Sequence, residues 1–425
     1  MIKIMKFGAV APEEIFARAV PEIDVSAVVA DIIAQVRARG DRALLEYNEK
    51  FEKAKLDALE VSPAEMEAAL QAVDPAFLAI LERAAANIRA FHARQVRQGF
   101  RMEAGGRVLG QKILPIEKVG LCVPGGVTPL SSTVLMDAIP AKIAGCAELV
   151  MVTPPRADGS IDASILAAAK VAGVDRVFKL GGAQAVAALA YGTESVPKVD
   201  KIVGPGGAFV AEAKRQVFGV VSIDMIAGPS EVLVLADGKS DAQCVAADLL
   251  SQAEHDKLAA AVLVTDSESL ALAVQAEIER QLPQLAREEI ARASIEHNGK
   301  IIVTDDLSAA VDVANAIAPE HLELCVDEPF AYLERIRNAG SVFLGRACPE
   351  ALGDYYAGAN HTLPTSGTAR FSSPLSVDDF VKKTQFIYYS EDALLSAVDD
   401  VAAFARQEGL TGHARSVTIR KEKWG

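Results

Sequence analysis

The chain has 425 residues, of which 51% are hydrophobic and 24% are charged, so its composition is that of a globular protein with more than one domain. Its formal net charge of −14 argues against nucleic acid and anionic membranes as partners, because an acidic surface repels phosphate groups. The five cysteines form no C-x-x-C pair, and no apolar run has the length of a signal-peptide core or a membrane span. We therefore expect a cytoplasmic protein, and we expect nitrogen and oxygen ligands at any metal site.

The first hundred residues have the patterns of helices. Apolar residues recur at helical spacing over residues 24–48 and again over residues 74–97. Between these segments, Ser62 followed by Pro63 is typical of a helix N-cap and first turn. This part of the chain is therefore predicted to be mostly helical.

From about residue 108, strand-like and helix-like segments alternate along the chain. The rhythm runs to Gly228, begins again at Glu231 and continues to Leu344. Short apolar strands separated by helices predict parallel sheets covered by helices, an α/β fold, and the repeated rhythm suggests a duplication. The predicted strands are residues 108–116, 118–124, 149–153, 176–180, 201–203, 231–236, 260–265, 300–303, 321–325 and 341–344.

The end of the chain has a different character. Residues 354–376 are rich in Gly, Pro, Ser and Thr without periodicity, and a loop of this length inside a compact domain is usually functional. A β-like stretch at 383–389 and two helices, 391–407 and 411–420, follow it. This tail is too small to stand alone, so we expect it to pack on another domain or another subunit.

Two pairs of residues could carry chemistry at the ends of predicted elements. Gln252 and His255 are three residues apart on one helical face and could hold a metal ion, although a helix dipole that favours a C-terminal histidine explains the same pattern. Glu320 and His321 stand where a strand begins, and an irregular turn at Pro319 could direct both to one site as proton acceptors. An exposed pair in a turn is the alternative for Glu320 and His321.

The long loop and the C-terminal helices contain two further pairs. Asp354 and His361 lie in the loop, where glycines let the backbone approach a ligand closely, although a solvated mobile loop would look the same. Glu408 and His413 lie at the junction of the last two helices, where Thr411 could equally be only an N-cap. The remaining histidines, at positions 92 and 297, have the surroundings of structural or solvated residues.

Two glycine-rich turns, residues 124–126 and 204–207, follow predicted strands. The carboxyl ends of parallel strands are where open α/β sheets bind ligands. The second turn departs from the dinucleotide fingerprint, because Phe209 stands where its third glycine should be. The residues therefore permit a nucleotide site without identifying NAD as its ligand.

In their order and spacing, these motifs resemble the histidinol dehydrogenase family over nearly the whole chain. The resemblance includes Asp248-Leu-Leu-Ser-Gln-Ala-Glu-His, Ala318-Pro-Glu-His-Leu and Gly409-Leu-Thr-Gly-His-Ala. The other matching blocks are residues 119–126, 181–185, 201–206, 223–234, 353–355, 360–361 and 371–380. No single block is specific, but the complete ordered set is.

The resemblance implies a substrate, two cofactors and a set of site residues. It implies oxidation of L-histidinol through the aldehyde to L-histidine with NAD, with Glu320 and His321 as general bases. It also implies one zinc ion per subunit of a homodimer that shares its active sites, with ligands Gln252, His255, Asp354 and, donated across the dimer, His413. The zinc ligands and His321 would contact the substrate together with Ser230, His361 and Glu408. The implied NAD contacts are Cys122, Gln184 and Gly207.

The resemblance also implies an architecture. Two incomplete Rossmann-like domains would form the body, with small N- and C-terminal pieces exchanged in a dimer. We expect an N-terminal arm at 1–22, a first domain of 23–104 with 230–375, a second, NAD-binding domain at 105–229, and a C-terminal helical tail at 376–425.

Two positions depart from the family pattern. The family usually has tyrosine where this chain has Cys122 and asparagine where it has Gly207, whereas Gln184 is retained. These changes remove a stacking surface and an amide, so we predict weaker NAD binding than is usual in the family. We further predict that Cys122→Tyr or Gly207→Asn raises the affinity.

Three other functions fit parts of the sequence. A paralogous zinc- and NAD-dependent alcohol dehydrogenase would act on another small hydroxy compound, and Ser230, His361 and Glu408 argue against it. A zinc hydrolase would use Glu320 to activate water and would not need NAD. A binding protein without activity would explain the changes at Cys122 and Gly207, but it leaves the complete set of metal and base residues unexplained.

Overall fold

The computed structural model of the chain describes residues 1–18, 24–126 and 128–425. The end of the expected N-terminal arm, residues 19–22, lies outside the described residues. Two compact units are present: a larger one of residues 1–95 and 116–380, and a smaller one of residues 96–115 and 381–425.

The strands of the described residues belong to three sheets. They are β1 (Lys3–Lys6), β2 (Phe100–Ala104), β3 (Arg107–Pro115), β4 (Lys118–Cys122), β5 (Glu148–Thr153), β6 (Arg176–Lys179), β7 (Lys201–Val203), β8 (Ser222–Ile223), β9 (Glu231–Ala236), β10 (Ala260–Thr265), β11 (Lys300–Val303), β12 (His321–Cys325), β13 (Ser341–Leu344) and β14 (Val381–Tyr389). Each strand predicted between residues 108 and 344 is confirmed to within two residues at its ends.

Helices precede, separate and follow these strands. They are α1 (Pro12–Ile15), α2 (Ser26–Arg39), α3 (Asp41–Tyr47), α4 (Pro63–Ala72), α5 (Pro75–His92), α6 (Ser131–Ala144), α7 (Ala163–Ala172), α8 (Gly182–Tyr191), α9 (Ala208–Val217), α10 (Ala242–Ala253), α11 (Glu268–Gln281), α12 (Glu288–His297), α13 (Leu307–Ile317), α14 (Pro329–Leu333), α15 (Glu350–Leu352), α16 (Glu391–Gln407) and α17 (Thr411–Trp424). In the part of the chain that the structure describes, no helix combines the length and apolar character needed to cross a membrane.

The larger unit contains two parallel sheets with the same strand order. One sheet has the order β6-β5-β4-β7-β8, and the other has the order β1-β11-β10-β9-β12-β13. If the strands are renumbered in chain order from β4 in the first sheet and from β9 in the second, both sheets have the strand order 3-2-1-4-5. In the second sheet, β1 is an additional edge strand. The central strands are apolar and buried, as expected of parallel sheets that helices cover on both faces.

The helices before residue 96 pack with the five-stranded sheet. Leu81 and Ile88 of α5 share a core with Val134 of α6, and Val29 of α2 shares a second core with Val186 of α8. The packing therefore places residues 26–92 with the sheet of β4 to β8, rather than with residues 230–375 as the sequence-based division expected. Helical periodicity identifies the apolar face of each helix, but it does not identify the surface against which that face packs.

The N-terminus is also placed differently from the prediction. Residues 3–6 form β1, the edge strand that pairs in parallel with β11 of the same chain. Ile2, Met5 and Ile15 are buried in the cores beside this sheet. Exchange of the N-terminal piece between subunits stays a prediction.

The predicted helix over residues 24–48 is two helices, α2 and α3, separated at Gly40. Its backbone has φ 53°, and a Cβ at this position would lie 2.1 Å from Oε2 of Glu194. The first turn of α4 is as predicted: Ser62 Oγ accepts from the backbone of Glu65, whose carboxylate accepts from the Ser62 N–H.

The smaller unit is an antiparallel sheet with two packed helices. Its strand order is β14-β3-β2, and β14 pairs with β3 along nine residues of each strand. Helices α16 and α17 pack through Ala402, Ala405 and Ala414. Because β2 and β3 belong here, residues 96–115 lie with the C-terminal tail and not with the Rossmann-like domains to which the sequence assigned them.

Candidate active site

A cavity of about 740 Å³ in the larger unit is lined by residues at the strand ends of both parallel sheets. The six-stranded sheet contributes residues at the amino ends of its strands, including Ser230, His255 and His321. The five-stranded sheet contributes residues that follow its strands, Pro124 and the turn of residues 204–207. The expectation of a ligand site at carboxyl ends therefore fits the glycine-rich turns, whereas the residues predicted as metal ligands and bases lie near amino ends.

His321 is the best-defined group in the cavity. It is the first residue of β12 and is buried, and its Nδ1 lies 3.0 Å from the carbonyl oxygen of Glu231. Because a carbonyl only accepts hydrogen bonds, Nδ1 carries the proton in this contact. Nε2 lies 3.4 Å from Oδ1 of Asp354 without a hydrogen bond of its own, so it is the ring nitrogen that can exchange a proton.

Glu320 lies beside His321, as the sequence predicts for one site. Its Oε2 accepts from the backbone N–H of Glu231 at 2.8 Å and lies 3.7 Å from His321 Nδ1. Burial raises the pKa of Glu320 to about 7. This carboxyl can therefore lose and gain a proton near neutral pH, as a general base must.

Carboxylates surround His321. Burial alone would lower the pKa of its imidazole, but the negative charges of Glu320, Glu350 and Asp354 outweigh burial and hold that pKa well above its usual value. A cation beside these carboxylates would reduce this effect, because it repels the imidazolium proton. The surroundings of His321 are thus strongly negative, which suits the binding of a cation.

The donors near His321 fit a metal ion with nitrogen and oxygen ligands. Atoms of His321, Glu350 and Asp354 lie within 4.8 Å of one another. The pKa of His255 is lowered chiefly by desolvation, which favours the neutral imidazole that binds metals. The amide of Gln252 is satisfied when its nitrogen donates to Glu350, at 3.2 Å from Oε2, and this orientation leaves its oxygen available as a ligand.

His361 and its loop are held in place by buried hydrogen bonds. Its Nδ1 lies 2.9 Å from the carbonyl oxygen of Asp354, and its Nε2 lies 3.3 Å from Oγ1 of Thr133. Asn360 donates to the Met136 carbonyl oxygen at 2.7 Å. These contacts favour the functional interpretation of residues 354–376 over a solvated, mobile loop.

Glu408 and His413 belong to the smaller unit. Glu408 follows the last residue of α16, and His413 lies in the first turn of α17. Both residues are exposed there. Their roles as substrate contact and zinc ligand remain predictions.

The three residues implied as NAD contacts have different surroundings. Gly207 lines the cavity as the N-cap of α9, and no atom lies within 4 Å of the position of an added Cβ. Gln184 is buried in α8 outside the described cavity lining, and its Nε2 has no hydrogen-bond partner. Cys122 is 5% exposed and packs in the core, outside the described cavity lining. The cavity thus fits a nucleotide at Gly207 better than at the Cys122 side chain.

Two groups of the site were missed in the sequence. Glu350 is a buried carboxylate beside His321 and Gln252, and the backbone of Glu231 holds both bases. A single glutamate outside any periodic stretch of the sequence gives no pattern from which its burial could be predicted. A backbone carbonyl leaves no signal in the sequence at all.

Comparisons with known proteins agree with the resemblance. The sequence model of the histidinol dehydrogenase family matches residues 17–421. The histidinol dehydrogenase of Geobacillus kaustophilus is 56% identical over 396 residues, 93% of each chain, and that of Syntrophotalea carbinolica is 54% identical over 97% of this chain and 96% of its own. The crystal structure of histidinol dehydrogenase from Elizabethkingia anophelis has a TM-score of 0.94 and 37% identity, covering 99% of this chain and 98% of that one.

Proposed function

Because the chain belongs to the histidinol dehydrogenase family, we propose that it oxidises L-histidinol through the aldehyde to L-histidine. Each substrate molecule would consume two NAD, and each subunit would hold one zinc ion. The observation that carries this proposal is the buried Nε2 of His321, which has no hydrogen-bond partner and lies 3.4 Å from Oδ1 of Asp354 in the lining of the cavity. A base at this position can accept the proton of the substrate hydroxyl group while hydride leaves the carbon that bears this group.

We propose that His321 is the base of the oxidations. Its Nδ1–H is fixed on the Glu231 carbonyl oxygen, so the ring presents Nε2 to the substrate hydroxyl. The hydroxyl proton passes to Nε2 as the C–H bond breaks and its electron pair leaves as hydride. NAD bound at the turn of residues 204–207 would accept that hydride.

Glu320 is proposed to act after the first oxidation. Its carboxylate accepts a proton from water, which adds to the aldehyde carbonyl to form a hydrate. The hydrate is again an alcohol and can lose a second hydride, giving the acid. The backbone N–H of Glu231 holds one carboxylate oxygen and leaves the other for water.

We propose Gln252, His255 and Asp354 as zinc ligands, with His413 from the other subunit. Zinc in this position would bind the imidazole and amine of the substrate and offset the carboxylate charge around His321. Nitrogen and oxygen donors suit this metal, and no cysteine is among the described residues that line the cavity.

We propose a homodimer with shared sites, and the exposed positions of Glu408 and His413 support it. Both are exposed on the smaller unit, which also exposes Phe404, Ile387 and Tyr388. Exposed apolar side chains on a small unit favour burial against another subunit.

The identical 3-2-1-4-5 strand order of the two parallel sheets supports a proposed origin by duplication of an incomplete Rossmann-like domain.

Metal removal tests the proposal against its alternatives. We expect the zinc-loaded protein to reduce NAD with L-histidinol, to lose this activity after chelation, and to regain it with zinc. Hydrolysis without NAD would favour a zinc hydrolase. NAD reduction with other small amino alcohols but not with L-histidinol would favour a paralogous dehydrogenase.

The Gly207→Asn variant is expected to bind NAD about threefold to tenfold more tightly, because an amide on the cavity wall adds a hydrogen bond. The open space at Gly207 and its extended backbone, φ −65° and ψ −179°, accept the side chain. Titration calorimetry measures the affinity, with Gly207→Ala as the control for backbone effects. An unchanged affinity in Gly207→Asn would contradict the prediction.

The sequence alone predicts that Cys122→Tyr also raises NAD affinity, but the structure leads to a different expected outcome. Its side chain would enter a packed core, so we expect a loss of stability of about 1–3 kcal/mol before any gain in NAD affinity. Thermal unfolding of both variants separates the two effects.

A further inference from the structure

A buried ion pair lies beneath the glycine-rich turn of the cavity. Lys214 of α9 and Asp224, which follows β8, form a salt bridge with side chains that are 2% and 1% exposed. A buried pair loses much of its attraction to desolvation, and replacing both partners with apolar residues is often neutral for stability. A pair in this setting therefore calls for an explanation other than stability.

Both partners bind the same residue, Gly204. The backbone N–H of Gly204 donates to Oδ2 of Asp224 at 2.8 Å, and Lys214 Nζ donates to the carbonyl oxygen of Gly204 at 3.0 Å. The salt bridge thus holds Gly204 from both sides. Gly204 is the first residue of the turn that leads to Gly207 and the start of α9.

Only glycine fits at position 204. Its φ is +108°, which L side chains rarely adopt, and an added Cβ would lie 2.2 Å from the carbonyl oxygen of Cys122. Because glycine has the greatest backbone freedom of all residues, hydrogen bonds on both its N–H and its carbonyl oxygen restrict a residue that has no side chain to restrict it.

A third buried ionisable group, the carboxyl group of Asp137, extends the cluster toward the substrate side. Asp137 of α6 accepts from Thr362 Oγ1 at 2.9 Å, and Thr362 adjoins His361. Oδ2 of Asp137 would lie 2.9 Å from a Cβ on Gly204. Burial, and then the negative charge of Asp224, raise the pKa of Asp137 to about 8. In its neutral form, Asp137 does not compete with Asp224 for the positive charge of Lys214.

We propose that Lys214 and Asp224 are positioning residues for the dinucleotide: together they fix Gly204 and so hold the turn of residues 204–207 in the shape that binds NAD. This inference rests on the proposed function for NAD binding at this turn. Neither side chain has to touch the dinucleotide. Their effect passes through the Gly204 backbone and the first turn of α9.

The test is a double variant, Lys214→Met with Asp224→Leu, which removes both charges at once and leaves no unpaired buried ion. We expect the Kd for NAD and the KM for NAD to rise about tenfold, with kcat at saturating NAD and zinc affinity nearly unchanged. Pairing Lys214→Met with Asp224→Asn restores an acceptor for the Gly204 N–H and should recover part of the affinity. An unchanged Kd in the folded Met/Leu variant would overturn the inference.

The control is Lys142→Met with Asp175→Asn. This change removes an exposed ion pair of 2.6 Å at the opposite edge of the same sheet, and it should leave the Kd for NAD unchanged. If the Met/Leu variant does not fold, hydrogen exchange in the wild type decides. The Gly204 amide should exchange slowly without NAD, and fast exchange would overturn the inference. Failure of the wild type to bind NAD would instead contradict the proposed function.

Discussion

Replacing His321 with asparagine is expected to lower kcat for NAD reduction by about 10²- to 10⁴-fold, the usual contribution of a general base. The asparagine amide can still donate to the Glu231 carbonyl oxygen in place of Nδ1, so the start of β12 keeps its backbone contact. The variant lacks the Nε2 lone pair that faces Asp354 and the cavity. The loss should therefore fall on kcat, whereas the Kd values for NAD and zinc should change little.

Steady-state kinetics and calorimetry together check this expectation. His297→Asn is the matched control, because His297 is exposed at the end of α12 and should leave kcat unchanged. A kcat of His321→Asn within twofold of the wild type would remove His321 from the chemistry. A parallel collapse of zinc affinity would indicate that His321 holds the metal instead.

Replacing Glu320 with glutamine is expected to separate the two oxidations. The glutamine oxygen can still accept from the Glu231 N–H, but the side chain cannot take a proton from water. The first oxidation should proceed, while oxidation of the aldehyde slows by about 10²-fold or more. Rapid mixing should then give about one NADH per substrate in the fast phase, with the aldehyde accumulating.

The pH dependence gives a second measure of Glu320. Burial raises the pKa of its carboxyl to about 7, and only the deprotonated form accepts a proton. Oxidation of supplied aldehyde by the wild type should therefore fall as the pH drops below about 7 and approach a plateau above it. Glu320→Gln should lose this dependence, and Glu328→Gln, an exposed change at the other end of β12, should keep it. The same pH profile in Glu320→Gln and the wild type would assign the titration to another group.

Periodicity predicted the elements of the fold better than their partners. Most strands from residue 118 to residue 344 are buried apolar runs, and their pattern is local. The pairing of β14 with β3 joins residues 381–389 to residues 107–115, and no local signal predicts it. The break at Gly40 was missed because the apolar stripe continues across it, although the backbone there has φ +53°, which L side chains rarely adopt.

The candidate site was predicted where its signal is a motif. His321, Glu320 and Asp354 come together as the resemblance to the family implied. Glu350 carries no motif, and its burial arises from the tertiary fold. Cys122 stands at a family contact position, but its side chain packs in the core, because a sequence position does not reveal the direction of a side chain.

The most direct test of the whole account is the amount of NADH formed per L-histidinol consumed by the purified, zinc-loaded protein. The account predicts about two NADH per substrate with L-histidine as the product, and no NADH after chelation. A single NADH per substrate with the aldehyde as the final product would contradict the four-electron oxidation. No NADH from protein that binds zinc would contradict the proposed substrate.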